Sequence, residues 1–458
     1  MFSTICELVP RDLDVPERAR RLDLMRRVLD GTLYDVLPYE FHEERSAGGE
    51  YIPLRRRRPS VRYALARVVV EDSVALLFSE GHFPAVESPD EGARGLLLAV
   101  ARESRLNQVM VEAAIRGSVG SACILMRILR GRVFFEVMDT VWLTPAWDPE
   151  APDTLVSVVE RYKARGADLV AAGYAVDPAE TYWFMRRWDG ASEVWFVPQA
   201  AGSVGPWVED EGRSVRHGLG FVPMVWIRNL PGGVAPDGGC TFRAAVETSI
   251  EIDYQLSQAG RGLKYSSDPT LLIKEPAGLE GDIVRGAGNA LVVSEKGDAR
   301  LLEIGGTAAG AVLEYVRMLR ELALEGVHGN RADASRLGAP ASGRALELMN
   351  QGLVWLADNL RVSYGEGGLL PLCRMVLRAA GRFPLRVGGR VVEGVDGEAA
   401  LSLVWPPWYP AGSEDRARDA ATLMALAEGG TVSRDAVRRW LRADWGDVGD
   451  GAQGGAGA

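Results

Sequence analysis

Two strongly periodic segments flank a run of small residues, and this pattern constrains the chain more than any other. TAAGAVLEYVRMLRELALEG (307–326) carries apolar residues at helical spacing, and so does RALELMNQGLVWLADNLR (344–361). Between them lies VHGNRADASRLGAPASG (327–343), rich in Gly, Ala and Ser. A loop of that length inside a compact domain is uncommon and is either functional or disordered. Held at two firm ends, it reads as a loop projected from a rigid scaffold toward something that passes by.

Upstream, the segment 240–264 is helical, with Phe242, Ala245, Val246, Ser249, Ile252, Leu256 and Leu263 on one face. Residues 265–306 form a compact insert holding three strand candidates, PTLLIKEP, NALVVSE and ARLLEI. The helix from Thr307 then places Val312, Tyr315, Val316, Leu319, Leu322 and Ala323 on one stripe. The simplest geometry is an antiparallel helix pair carrying the insert at its tip.

The rest of the chain reads as α+β. Helices are expected over Pro16–Asp30 (Leu22, Met25, Val28, Leu29 inward), over VRYALARVVVEDSVALLF, and as one long amphipathic helix over Glu91–Arg116. Leu97, Val100, Leu106, Val109 and Ala113 are that helix's expected core. Ser118 to Leu230 is β-rich: CILMRIL, RVFFEVM, VWLTPAW, LVSVVERYKA, YAVDPAETYWFMRRW, SEVWFVP and GFVPMVWIRNL alternate with turn residues. PGGVAPDGG (231–239) has the composition of a linker. The helix from Arg344 presents Ala345, Leu348, Met349, Leu353, Leu356 and Leu360, with a kink expected at Gly365–Pro371 before LCRMVLRAAG. FPLRVGG and ALSLVWPPW read as strands. A helical hairpin capped by Ser413 and Ser433 follows, then a Gly/Ala tail expected to be disordered.

Composition excludes several classes. A net charge of −10 is opposite to that of a tight nucleic-acid binder, whose affinity comes from many phosphate contacts. Cys6, Cys123, Cys240 and Cys373 are scattered, without a CxxC pair, which argues against a disulfide framework or a zinc site. No signal peptide is read at the N-terminus, and no run reaches the roughly 18 apolar residues of a spanning helix. No GxxxxGK[ST], HExxH or GxSxG occurs; His42, His82, His217 and His328 share no ligand spacing. Gly286 and Gly288 precede an apolar strand, so they read as a turn. No enzyme activity and no cofactor or metal is expected. The block RRRRPS (55–60) reads equally as a solvated basic turn or as a contact for anionic partners. Trp405 and Trp408 read as packed core at a junction rather than as a binding patch.

The order of these elements resembles the portal proteins of tailed bacteriophages, in the siphophage-type branch. The resemblance rests on HGLGFVPMVWIRN, on TFRAAVETSIEIDYQLSQAGRGLKYSSDPTLLIK, on SGRALELMNQGLVWLADNLR and on EDRARDAATLMALAEGGTVSRDAVRRWL. It covers most of the chain from about Tyr63. It implies a ring, usually of twelve subunits, at one capsid vertex, through which double-stranded DNA is packaged and ejected. Residues 1–240 would be the wing, 241–264 and 307–328 the stem helices, and 265–306 a small α/β clip. Residues 329–343 would be the tunnel loop, 344–410 the long helix and remaining wing strands, and 411–458 the crown helices and tail. The channel would be lined by Asn330, Arg331, Asp333, Ser335, Arg336, Ala339 and Ser342 of the loop, and by Arg243, Arg261, Lys264, Arg317 and Arg320 of the stem. The implied partners are further copies of the chain, double-stranded DNA, the terminase large subunit, a head–tail adaptor, and the major capsid and scaffolding proteins, with no membrane. The implied location is the virion vertex, and the host cytoplasm during assembly. Another head–tail connector or tail component, or an α/β enzyme whose site the sequence hides, are the competing readings.

Overall fold

The computed structural model describes residues 1–203, 205–267, 270–274, 298–302, 307–330, 348, 350–409, 413–429, 433 and 437. The chain divides into two compact units, residues 1–330 with 355–406 and residues 331–354 with 407–458. The mixed α+β class is as expected from the sequence.

Helices open the first unit: α1 (Phe2–Leu8), α2 (Glu17–Leu29), α3 (Leu65–Phe78), α4 (Glu91–Glu103) and α5 (Leu106–Gly117). In α2 the four expected core residues, Leu22, Met25, Val28 and Leu29, are all buried. The single helix expected over Glu91–Arg116 is in fact two. Arg105 adopts a left-handed conformation (φ 52°) and turns the chain between them. The apolar period runs on across this turn, with Leu97, Val100, Leu106 and Ala113 buried, so spacing alone conceals it. The side chain of Asp90 caps α4 by accepting from the Ala93 N–H at 3.0 Å, satisfying one otherwise unpaired helix donor.

A short strand, β1 (Ala85–Glu87), precedes α4. Strands β2 (Ser121–Leu129) and β3 (Arg132–Met138) form a hairpin closed by Arg130 and Gly131, both at positive φ, as a two-residue type I′ turn requires. A second sheet follows: β4 (Leu143–Trp147), β5 (Leu155–Arg165), helix α6 (Gly166–Ala171), β6 (Thr181–Asp189), β7 (Ser192–Trp195), β8 (Gln199–Ala200) and β9 (Val215–Arg216). Its antiparallel order is β4-β5-β6-β7-β9, with β8 also on β6. The strand expected from Tyr174 starts only at Thr181, because Asp177 and its neighbours form the turn after α6. Strand β10 (Met224–Arg228) returns to the first sheet and gives the order β10-β2-β3. The two sheets share one core of Cys123, Leu125, Met138, Leu143, Val158, Trp188, Val222 and Met224.

The stretch read as a linker, Pro231–Gly239, is packed structure. Asp237 is buried and accepts from Arg18 (Nε 2.9 Å, Nη2 2.7 Å), from Ser121 Oγ (2.7 Å) and from Arg21 (3.3 Å). A Cβ on Gly238 would stand 2.6 Å from the Asn229 nitrogen. Glycine serves here for close backbone approach, not for flexibility.

Helix α7 (Val246–Ser267), strand β11 (Thr270–Lys274), strand β12 (Asp298–Leu302) and helix α8 (Thr307–Gly326) come next. Helix α9 (Gln351–Leu360) continues into a π-helical segment, Arg361–Leu369, which covers most of the stretch where a kink is expected, and then into α10 (Leu370–Ala380). Helical hydrogen bonding thus continues through the glycine-rich stretch in widened turns. At Gly365 a Cβ would lie 2.6 Å from the Trp405 ring, and Arg361 stacks on that ring at 4.8 Å. Trp405 is therefore packed, as expected. Leu353, Leu356 and Leu360 are buried, whereas Leu348 is exposed. Strands β13 (Leu385–Val387) and β14 (Arg390–Val392) form a hairpin, and β15 (Ser402–Val404) pairs with β1. In the second unit, helix α11 occupies Ser413–Glu428. The helix expected after Ser433 falls outside the described residues.

The basic block is only partly a surface feature. Arg57 is buried between the Phe41 and Tyr51 rings and donates to the Phe41 carbonyl, and Arg58 donates to the Leu37 carbonyl. Arg55 and Arg56 remain exposed.

Candidate functional site: the α7–α8 hairpin

The sequence expectation of two bracketing helices is met. Residues near the start of α7 and the end of α8 share a core of Leu65, Val69, Ala245, Ile252, Ala323, Leu324 and Val327, so the helices run antiparallel. Leu256, Val316 and Leu319 extend that core. At the far end β11 and β12 pair antiparallel, Thr270 opposite Leu302 and Lys274 opposite Asp298. Two of the three expected insert strands are thus observed; NALVVSE lies outside the described residues.

Helix α7 is fixed to the N-terminal part of the chain by polar contacts. Asp253 accepts from the Tyr34 hydroxyl (2.7 Å) and the Tyr63 N–H (2.7 Å). Ser257 Oγ accepts from the Val61 N–H (3.0 Å), and the Tyr254 hydroxyl donates to the Arg57 carbonyl (2.8 Å). Burial raises the Asp253 carboxyl above the usual carboxylate range, against the pull of these two donors and of Arg62. Through these two contacts Asp253 anchors two segments at once.

Helix α8 differs from the sequence reading in one decisive respect. Five of the six apolar residues assigned to one stripe divide between two faces, and Val312 is half-buried. Val316, Leu319 and Ala323 face α7, whereas Tyr315 (40% exposed) and Leu322 (57% exposed) face solvent together with Met318 (49% exposed). With exposed Ala311 they step along the helix by four, three and four residues, the spacing of a coiled-coil seam. Beside this seam runs a polar row of Glu314, Arg317, Glu321 and Glu325, all exposed. On α7, Leu263 is also exposed rather than part of the buried face.

The stem cations do not gather into one patch. Arg243 stacks over Phe2 at 5.3 Å. Arg261 is paired with Glu44. Arg320 donates to the Tyr63 hydroxyl at 2.9 Å. Arg317 stays on the exposed row, 3.8 Å from Glu314, and Lys264 is exposed near the end of α7. The exposed face of α8 is therefore acidic overall. Of the loop residues, Asn330 is described and hydrogen-bonds Asp72, whose carboxyl is raised by burial in spite of that bond and of Arg320. Arg331, Asp333, Ser335, Arg336, Ala339 and Ser342 lie outside the described residues.

The residues that sequence reasoning missed are Met318, Glu314, Glu321 and Glu325. Their signal was present: apolar positions on this helix span a wider arc than one buried face needs. Among the described residues no group of three His, Cys, Asp or Glu side chains is placed to hold a metal ion, and no helix is long and apolar enough to cross a membrane.

No protein-family model matches the chain, and no curated protein matches it. Among solved structures, it is similar to a chain from the virion of a native gene transfer agent (GTA) particle. Identity is 12% and the TM-score 0.37, over 83% of this chain and 88% of that one. The likeness is to a virion-particle protein and is weak, so the reading of function below rests on the hairpin.

Proposed function

We propose that the chain is the subunit of a phage-type portal, a ring that conducts double-stranded DNA and performs no catalysis of its own. The observation that carries this reading is the exposed seam on α8, flanked by its acidic row. Apolar side chains spaced for helix packing and left in water call for a partner helix. The partner that needs no other gene product is a second copy of the chain. Head-to-tail contacts between identical subunits close into a ring when the rotation fits.

The acidic row gives such a ring its inner surface. A polyanion slides past a wall that makes few phosphate contacts, whereas dense lysine and arginine would bind it in salt-dependent wells. Arg261 and Arg320, half-buried and engaged by Glu44 and by the Tyr63 hydroxyl, are drawn away from that role, and exposed Arg243 stacks on Phe2. The chain leaves α8 through Asn330 into the segment 331–343, which this reading makes the tunnel loop. The terminase motor, the head–tail adaptor, and the capsid and scaffolding proteins would dock on the outer surfaces of the ring at the virion vertex.

The test is assembly. Purified protein is expected to form closed rings with an axial hole in negative-stain images. Leu322→Glu combined with Met318→Glu is expected to yield monomers whose thermal transition stays within about 0.5 kcal/mol of the parent, as for surface substitutions. Rings that survive this double substitution, or a parent chain that stays monomeric at all concentrations, would refute the seam as the assembly surface.

A further inference from the structure

Strand β2 is paired with β3 from Cys123 to Leu129, but with β10 only from Ser121 to Leu125. The pairing stops for a chemical reason. Met126 N–H still donates to the Pro223 carbonyl at 2.8 Å, yet Pro223 has no N–H to return to the Met126 carbonyl. The chain bends away at this point, with the Met224 N–H donating to the Val222 carbonyl. The two-residue turn at Arg130–Gly131 makes Leu129 and Arg132 a hydrogen-bonded pair, so the N–H and C=O of Ile128 point away from β3. At Ile128, therefore, β2 presents an open sheet edge.

That edge forms one wall of a groove of about 490 Å³. Val215, His217, Leu219 and Phe383 also line it. Val215 belongs to β9, the end strand of the six-stranded sheet. The carboxylate inside the groove, Glu193, is neutralised by Arg127 at 2.7 Å and also faces Arg186. The rim is basic. Arg216 lines the groove, and Arg130, Arg132 and Arg386 flank Gly131, whose carbonyl accepts from the Arg386 N–H at 2.7 Å. All four are exposed and none makes an ion pair among the described residues.

We propose that this groove takes one extended, acidic segment of a partner protein, which adds as a strand to the open edge of β2. The N–H and C=O of half-buried Ile128 supply main-chain pairing. Alternate apolar side chains of the segment fall on Val215, Leu219 and Phe383, and its carboxylates meet the arginine rim. No lining residue of the groove lies on α8, so its occupancy does not depend on ring closure.

The probe is a fluorescent heptapeptide alternating glutamate and valine, with two controls: lysine for glutamate, and proline for valine. Binding is expected for the first alone, to weaken as salt is raised, and to slow hydrogen exchange in the segment 126–130. Arg132→Glu with Arg216→Glu and Arg386→Glu is expected to weaken it on the order of ten-fold, with ring assembly unchanged. Arg130→Asn, which tolerates the positive φ, gives a milder loss that checks the result in a variant with an undisturbed turn. Equal binding of the lysine or proline peptide, binding without slowed exchange at 126–130, or no binding of the acidic peptide would overturn the proposal.

Discussion

In the β block a buried carboxylate is met by donors from distant parts of the chain, whereas on α8 apolar side chains stay in water within one helix of a packed core. Asp237 draws Arg18, Arg21 and Ser121 to one point, and Arg18 also donates to the Thr140 and Leu143 carbonyls while stacking on Trp226. Every group there is answered inside the subunit. Tyr315, Met318 and Leu322 instead stay 40%, 49% and 57% exposed on the surface of their helix. The difference separates what makes the subunit fold from what makes it assemble, and the two are tested by opposite kinds of substitution.

The largest effect is expected at Asp237. Asp237→Ala leaves half-buried Arg18 without its counter-charge and Ser121 Oγ without its acceptor, a loss of about 3 kcal/mol, read from denaturant unfolding of the monomeric background. If stability changed by less than the seam variants change it, the contrast between the two regions would disappear. Next comes the anchor of α7. Asp253→Ala strands the Tyr34 hydroxyl and the Tyr63 N–H, at a cost of about 1–3 kcal/mol. Hydrogen exchange should then rise around Val61 and Tyr63 before it rises on β2.

The smallest effect concerns His217, which contacts the Asp189 carbonyl at 3.1 Å. Burial lowers its pKa below the ordinary 6.5, although that contact and Asp189 itself oppose the shift. The unfolded chain then binds the proton more readily than the folded one. Its contribution is present above pH 6.5 and fades as pH falls through the lower folded value. His217→Asn should flatten the pH dependence of the thermal midpoint between neutral and mildly acidic pH; an unchanged slope would place the titrating group elsewhere.

Much of the fold was legible because burial and period coincide. The α7 and α8 segments, the β2–β3 hairpin and the packed state of Trp405 follow from spacing and turn chemistry. Other features depend on tertiary partners that leave no local trace. Arg105 breaks a helix whose apolar period continues through the break. Pro231–Gly239 has the composition of a linker, yet its glycines allow backbones to touch around Asp237. Arg57 sits in a charged run, but two aromatic rings enclose it. The candidate site was half legible. The stripe on α8 was visible, but which of its residues face α7 and which face water depends on where α7 sits.

Arg18 and Asp237 are 219 residues apart in the chain. A contact so distant is slow to form, because the intervening chain must be ordered before the pair is rewarded. During synthesis the α2 segment leaves the ribosome long before its carboxylate partner exists. The β block is therefore expected to lock only after residue 237 has emerged, when α7 and α8 are still to come. The order of synthesis thus completes the clamp of the subunit before the seam on α8 is available to a neighbouring copy.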